Sequence, residues 1–174
     1  ALPLCGQTGS ATLIASGLAT LAWIGQAQGD PGGAREAMSQ AVEIGLGSEV
    51  VDLINPVPAR RARLSLVQGD VEAAAAWAAE RGLSARDDPA YAWEPAYLTL
   101  ARVLRMQGQP AEALGLLERL HARAIQEARK GCVIEIQAQR ALASADCGDE
   151  AGAVSFLTDA LALAHPQGYV RIFA

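Results

Sequence analysis

Histidine and cysteine are scarce in this chain of 174 residues. His121 and His165 lie 44 positions apart in no HExxH or HxH pattern, and Cys5, Cys132 and Cys147 form no CxxC pair. Neither a metal site nor a disulfide framework is expected from so few, so scattered ligands. The thiols read as reduced, which points to the cytoplasm. Catalytic signatures are missing too: there is no GxSxG, no paired carboxylate context and no Cys-His arrangement. Gly6-Gln7-Thr8-Gly9-Ser10 lacks the lysine and the preceding strand that let a glycine-rich loop hold phosphate. The expectation is a chain that is not an enzyme and holds no cofactor of its own.

Basic residues are outnumbered, 14 against 19 acidic, for a net charge of −5. That balance argues against this chain gripping a nucleic-acid backbone by itself. Residues 1–29 carry no charge at all, yet the strongly apolar part, Ala11 to Gly25, is shorter than the roughly 20 residues a membrane span needs and follows no basic segment. It reads as a buried helix, with no membrane partner.

What the chain does have is repetition. Four corners share one signal, Gln28-Gly29-Asp30, Gln68-Gly69-Asp70, Gln107-Gly108-Gln109 and Cys147-Gly148-Asp149, with glycines spaced 40, 39 and 40 residues apart. An alanine stands seven residues before each glycine (Ala22, Ala62, Ala101, Ala141) and another five after it (Ala34, Ala74, Ala113, Ala153). Small side chains at fixed distances from a helix-ending glycine are what crossing antiparallel helices require, because they let the axes approach closely. The aspartate after three of the glycines is placed to cap the following helix.

These signals predict an all-α fold, a right-handed superhelix of about four antiparallel hairpins, over residues 10–165, with repeats at about 10–46, 47–86, 89–130 and 131–165. Residues 1–9 read as the end of a preceding segment or an appended remnant, and 166–174 as a stub that is strand-like at Arg171 to Ala174. The expected helices are Ala11–Gln28, Pro31–Gly45, Pro58–Gln68, Val71–Arg81, Trp93–Gln107, Pro110 to about Lys130, Val133–Cys147 and Glu150–His165, with a short helical start at Glu49–Ile54. Gly82 to Pro89, dense in turn formers and charge, reads as a flexible connection.

The candidate contact residues come from the repeat columns. Positions one and four beyond the first-helix alanine share a helix face. They read Trp23 and Gln26, Arg63 and Leu66, Arg102 and Arg105, Leu142 and Ala145. Trp23, Gln26, Arg63, Arg102 and Arg105 are therefore the candidate ligand-binding set, suited to an anionic or hydroxyl-rich molecule or an acidic peptide. The competing reading pairs the arginines with carboxylates of adjacent helices and places the tryptophan between helices.

The strings Leu21-Ala22-Trp23-Ile24, Gln26 to Pro31, Ala76-Trp77-Ala78, Tyr97 to Leu104 (YLTLARVL) and His165 to Phe173 (HPQGYVRIF) resemble the tetratricopeptide-like sensor region of MalT-type, LuxR-family transcriptional regulators. The resemblance implies a parent protein with an amino-terminal ATP-dependent switch, this helical array, and a carboxy-terminal helix-turn-helix through which alone DNA is bound. It implies that the array senses a small-molecule inducer, a sugar or an anionic metabolite, or contacts protein. Self-association is a further expectation, and a pure protein-interaction scaffold with no small-molecule ligand is the alternative.

Overall fold

The computed structural model describes residues 11–46, 56–88 and 91–168. Among them there are eight α-helices and no strand: α1 Ala11–Ala27, α2 Pro31–Leu46, α3 Val57–Val67, α4 Val71–Glu80, α5 Glu94–Met106, α6 Pro110–Gln126, α7 Lys130–Asp146 and α8 Glu150–Ala164. Short 3₁₀ turns, Tyr91–Trp93 and His165–Gln167, precede α5 and follow α8. The expected helical start at 49–54 and the strand-like end beyond Gly168 lie outside the described residues. The chain divides into two compact units, Ala1–Ala79 and Glu80–Ala174.

The corners follow from backbone chemistry. Gly29, Gly69, Gly108 and Gly148 adopt φ of 81°, 83°, 75° and 81°, the left-handed region closed to most residues. In each corner the amide one residue later donates back across the turn: Asp30 N to Gly25 O at 3.0 Å, Asp70 N to Ser65 O at 2.8 Å, Gln109 N to Leu104 O at 2.8 Å and Asp149 N to Ser144 O at 3.0 Å. This is the Schellman arrangement, which satisfies carbonyls that the helix end would leave unpaired. Three aspartates then start the next helix. Asp30 Oδ1 accepts from Gly33 N at 2.8 Å, Asp70 Oδ1 from Ala73 N at 3.0 Å and Asp149 Oδ1 from Gly152 N at 2.9 Å.

A fifth corner of the same kind joins α6 to α7, and it has no glycine. Ala128 sits at φ 54°, and Arg129 N donates to Ala124 O at 2.9 Å. The helix expected to run from Pro110 to about Lys130 therefore ends at Gln126, and α7 starts at Lys130 instead of Val133.

In the first unit, Ala15, Ala19 and Ala22 of α1 face Ala34, Met38 and Ala41 of α2 in one buried cluster, which Val57 and Leu64 of α3 complete. Each helix offers residues at i, i+4 and i+7, a single stripe, and five of the six are alanine. The second unit packs bulkier side chains: Leu116, Leu117 and Leu120 of α6 are fully buried with Ile134 and Ile136 of α7. Of the eight repeat alanines seven are buried, and Ala153, on the last helix, is half-buried. No helix among the described residues is long and apolar enough to cross a membrane.

Residues 82–88 differ from the expected flexible connection. Asp87 Oδ2 accepts from Ser84 N at 2.8 Å and from the Tyr97 hydroxyl at 2.6 Å, while Arg119 of α6 donates to the carbonyls of Ala85 and Asp87. Turn chemistry is present, but it is used to tie the segment onto the second unit. Burial, and then the bond to Asp87, push the Tyr97 phenol well above the ordinary tyrosine range, so it remains a donor.

Candidate functional site

Three of the five candidate residues come together in the first unit. Trp23 projects from α1 and Arg63 from α3, and the guanidinium carbon lies 5.0 Å from the centre of the indole ring. A cation held over an aromatic face at that distance is attracted by the ring's electron-rich surface. One turn further along α1, Gln26 Oε1 accepts from Gln68 Nε2 at 2.9 Å. Gln68 follows the last residue of α3, and its amide also donates to Pro31 O at 3.1 Å and accepts from Arg35 Nε at 3.1 Å. An indole, two guanidinium groups and two amides are thus gathered from the ends of three helices. Trp23 and Gln26 are half-buried, and Trp23 packs against the buried cluster of the first unit, the between-helix role named as its competing reading.

Gln68 and Arg35 were absent from the sequence-derived set. Gln68 belongs to the corner motif itself, and its side chain bridges to the preceding corner. The repeated Gln-Gly pair (Gln28, Gln68, Gln107) was a signal for this residue, read only as part of a turn.

Arg102 and Arg105, in the second unit, lie one turn apart on α5 and engage carboxylates of α7. Arg102 Nη2 meets Glu135 Oε1 at 2.8 Å, and its Nη1 donates to Leu98 O. With the Gln139 amide turned so that its nitrogen donates to Leu98 O, its oxygen accepts from the same guanidinium at 2.9 Å. Arg105 Nε meets Asp146 Oδ2 at 2.7 Å. These two arginines join neighbouring first helices as helix-to-helix pairs, the competing role named from the sequence.

Other charges of the second unit are similarly committed. Glu94, buried at the start of α5, is bonded to Arg129. Burial works against the Arg129 charge, and the bonds to Glu94 outweigh it, so its proton is held more firmly than usual. Arg140 lies 4.1 Å from the centre of the Phe156 ring and donates to Gln137 Oε1 at 2.9 Å. Beside it, burial and then the Arg140 charge push the His121 imidazole below its ordinary value, with Asp159 opposing. The described residues hold no group of three or more His, Cys, Asp or Glu able to hold a metal ion.

Four glycine-cornered hairpin signals at a period near 40 residues, seated on buried alanines, define a longer repeat than the 34-residue tetratricopeptide pattern. The family model that describes the MalT-like TPR region matches residues 1–174. The chain belongs to that family. No curated protein and no solved structure matches it. As a MalT-like TPR region the chain is a repeat region of the protein-contact kind, all-helical among the described residues.

Proposed function

We propose that this MalT-like TPR region is the effector-sensing part of a LuxR-family transcriptional regulator, and that the Trp23, Gln26, Arg63, Gln68 and Arg35 group is where a small-molecule inducer is received. The observation that carries the reading is the Trp23–Arg63 stack beside an amide pair. The amide and guanidinium groups beside the indole supply donors for the hydroxyl or anionic oxygens of a ligand. Arg102 and Arg105 serve the second unit as structural ties in this reading.

The region binds and transmits, and carries out no chemistry itself. ATP and DNA act on other parts of the parent regulator. The mechanism is a population shift: the inducer favours one arrangement of helices α1 to α3 over another, and can bias the attached switch only by its differential affinity for the two. Thermal-shift screening against neutral oligosaccharides and phosphorylated or carboxylated metabolites should find a stabilising class. Calorimetry should then show that class bound less tightly by Arg63→Ala and Trp23→Ala, with helicity unchanged. If nothing in either panel stabilises the chain, the protein-interaction scaffold takes the place of the sensor.

A further inference from the structure

Guanidinium groups of the second unit are fixed by acids or by backbone carbonyls. Arg102 meets Glu135, Arg105 meets Asp146, Arg129 meets Glu94 and Glu127, and Arg119 donates to the carbonyls of Ala85, Asp87 and Gly115. Arg140 takes a neutral amide, Gln137, but Glu118 stands 3.9 Å away and the Phe156 ring lies against it. Each of these charges is answered inside the fold.

Arg35 of α2 is held differently. Its Nε donates to Gln68 Oε1 at 3.1 Å, and Gln68 is itself fixed by its bonds to Gln26 Oε1 and Pro31 O. A neutral amide orients this guanidinium without neutralising it. Arg35 is exposed, and its two Nη groups have no partner among the described residues. A planar fork anchored through one nitrogen, with the other two left open, suits two oxygens of a carboxylate or phosphate, and its orientation is set before the ligand arrives.

The surrounding charge has the same sign. Helix α1 carries no charged residue, and α3 carries Arg60, Arg61 and Arg63 with no acid. Arg60 stands one turn from Arg63 on the same side of α3. Helix α2 adds Arg35 against Glu36 and Glu43, so these three helices hold four arginines and two glutamates in a chain of net charge −5. The corner aspartates nearest in the chain are engaged as caps, Asp30 accepting from Gly33 N and Asp70 from Ala73 N. A local excess of cations raises the concentration of anions around it.

We infer that the inducer is an anion, a phosphorylated or carboxylated metabolite, and that the Arg35 fork takes its charged group while Gln26, Trp23 and Arg63 receive the remainder. The inference rests on the reading of this group as the inducer site.

Its test is a titration of the isotope-labelled chain with inorganic phosphate, citrate and the uncharged disaccharide sucrose at constant ionic strength, followed through the Trp23 indole N–H and the side-chain amides of Gln26 and Gln68. Phosphate or citrate should move these signals to saturation, and sucrose should leave them in place. Arg35→Gln should weaken the anion binding by about tenfold or more, and Arg35→Lys, which keeps the charge and loses the fork, should recover only part of it. Circular dichroism checks that both variants keep their helicity. No saturable shift with either anion, or an Arg35→Gln chain that binds as tightly as the wild type, would overturn the inference. Signals moved by sucrose and by neither anion would overturn it and leave the inducer site standing, whereas a set of probes that moves none of them, together with a blank thermal-shift screen, would sink both.

Discussion

Helices α3 and α5 carry an arginine at the same repeat position, one residue after the repeat alanine, and the two units use it in opposite ways. Arg63 lies over the Trp23 ring, whereas Arg102 is clamped by Glu135, Leu98 O and Gln139. The difference teaches that a repeat column fixes where a side chain emerges and the neighbouring helix decides what it does. Where the adjoining first helix supplies an aromatic ring and amides, the charge sits in a setting fit for a ligand. Where it supplies a carboxylate, the charge becomes a strut. The contrast extends to the cores: alanine stripes bring α1 and α2 together around Met38, with Leu18, Trp23, Val42 and Ile44 packed half-buried against them, while α6 and α7 are joined by fully buried leucine and isoleucine.

The comparison can be broken most forcefully at Glu94. Glu94→Ala strips a buried carboxylate from Arg129 and should cost about 3 kcal/mol of stability, read by urea denaturation. A loss below about 1 kcal/mol would show that the second unit does not depend on its buried charges. Next, Arg102→Ala should destabilise by about 1 kcal/mol through loss of its bonds to Glu135 and Leu98 O, and Arg63→Ala by about half that through loss of the cation over the Trp23 ring. Reversal of that order would erase the distinction between strut and contact residue.

The corners offer a smaller effect. Ala128→Gly relieves a left-handed alanine and should stabilise by about 0.5 kcal/mol, seen as a raised urea midpoint with an unchanged slope. Smallest is the pH dependence. His121 is held below its ordinary value of 6.5, so the unfolded chain takes up this proton more readily than the folded one. Its contribution is fully present above about pH 6.5 and declines as the pH falls below that value toward the depressed native one. His121→Gln should flatten this part of a stability profile measured from pH 7.5 to 5, leaving only the slope contributed by other groups.

The fold was legible because its signals are local. A glycine at φ near +80°, an aspartate capping three residues onward and alanines at fixed offsets are all determined within about a dozen residues of one another, and seven of the eight alanines are buried as the pattern required. The Ala128 corner was invisible for the same reason: alanine carries no signal for a left-handed turn, and only the surrounding packing holds it there. The candidate group was legible by half. Trp23, Gln26 and Arg63 were found from their columns, but Gln68 and Arg35 join them through bonds spanning 42 and 33 residues, beyond any local pattern. The pairs Arg102–Glu135 and Arg105–Asp146 cross 33 and 41 residues, and no rule of helix periodicity names such a partner. Residues 82–88 misled because turn formers signal a change of direction equally well in a free linker and in a segment stitched to a helix.

The corner geometry also bears on how the chain reaches this structure. Each Schellman turn closes through bonds spanning five residues or fewer and hands on directly to the next helix, so hairpin formation needs no distant part of the chain. Loop-closure entropy is small for such contacts, and topologies built from them fold quickly. Any one of the hairpins can then serve as the nucleus on which its neighbours assemble, and damage to one corner should fray the adjoining helices before it unravels the rest.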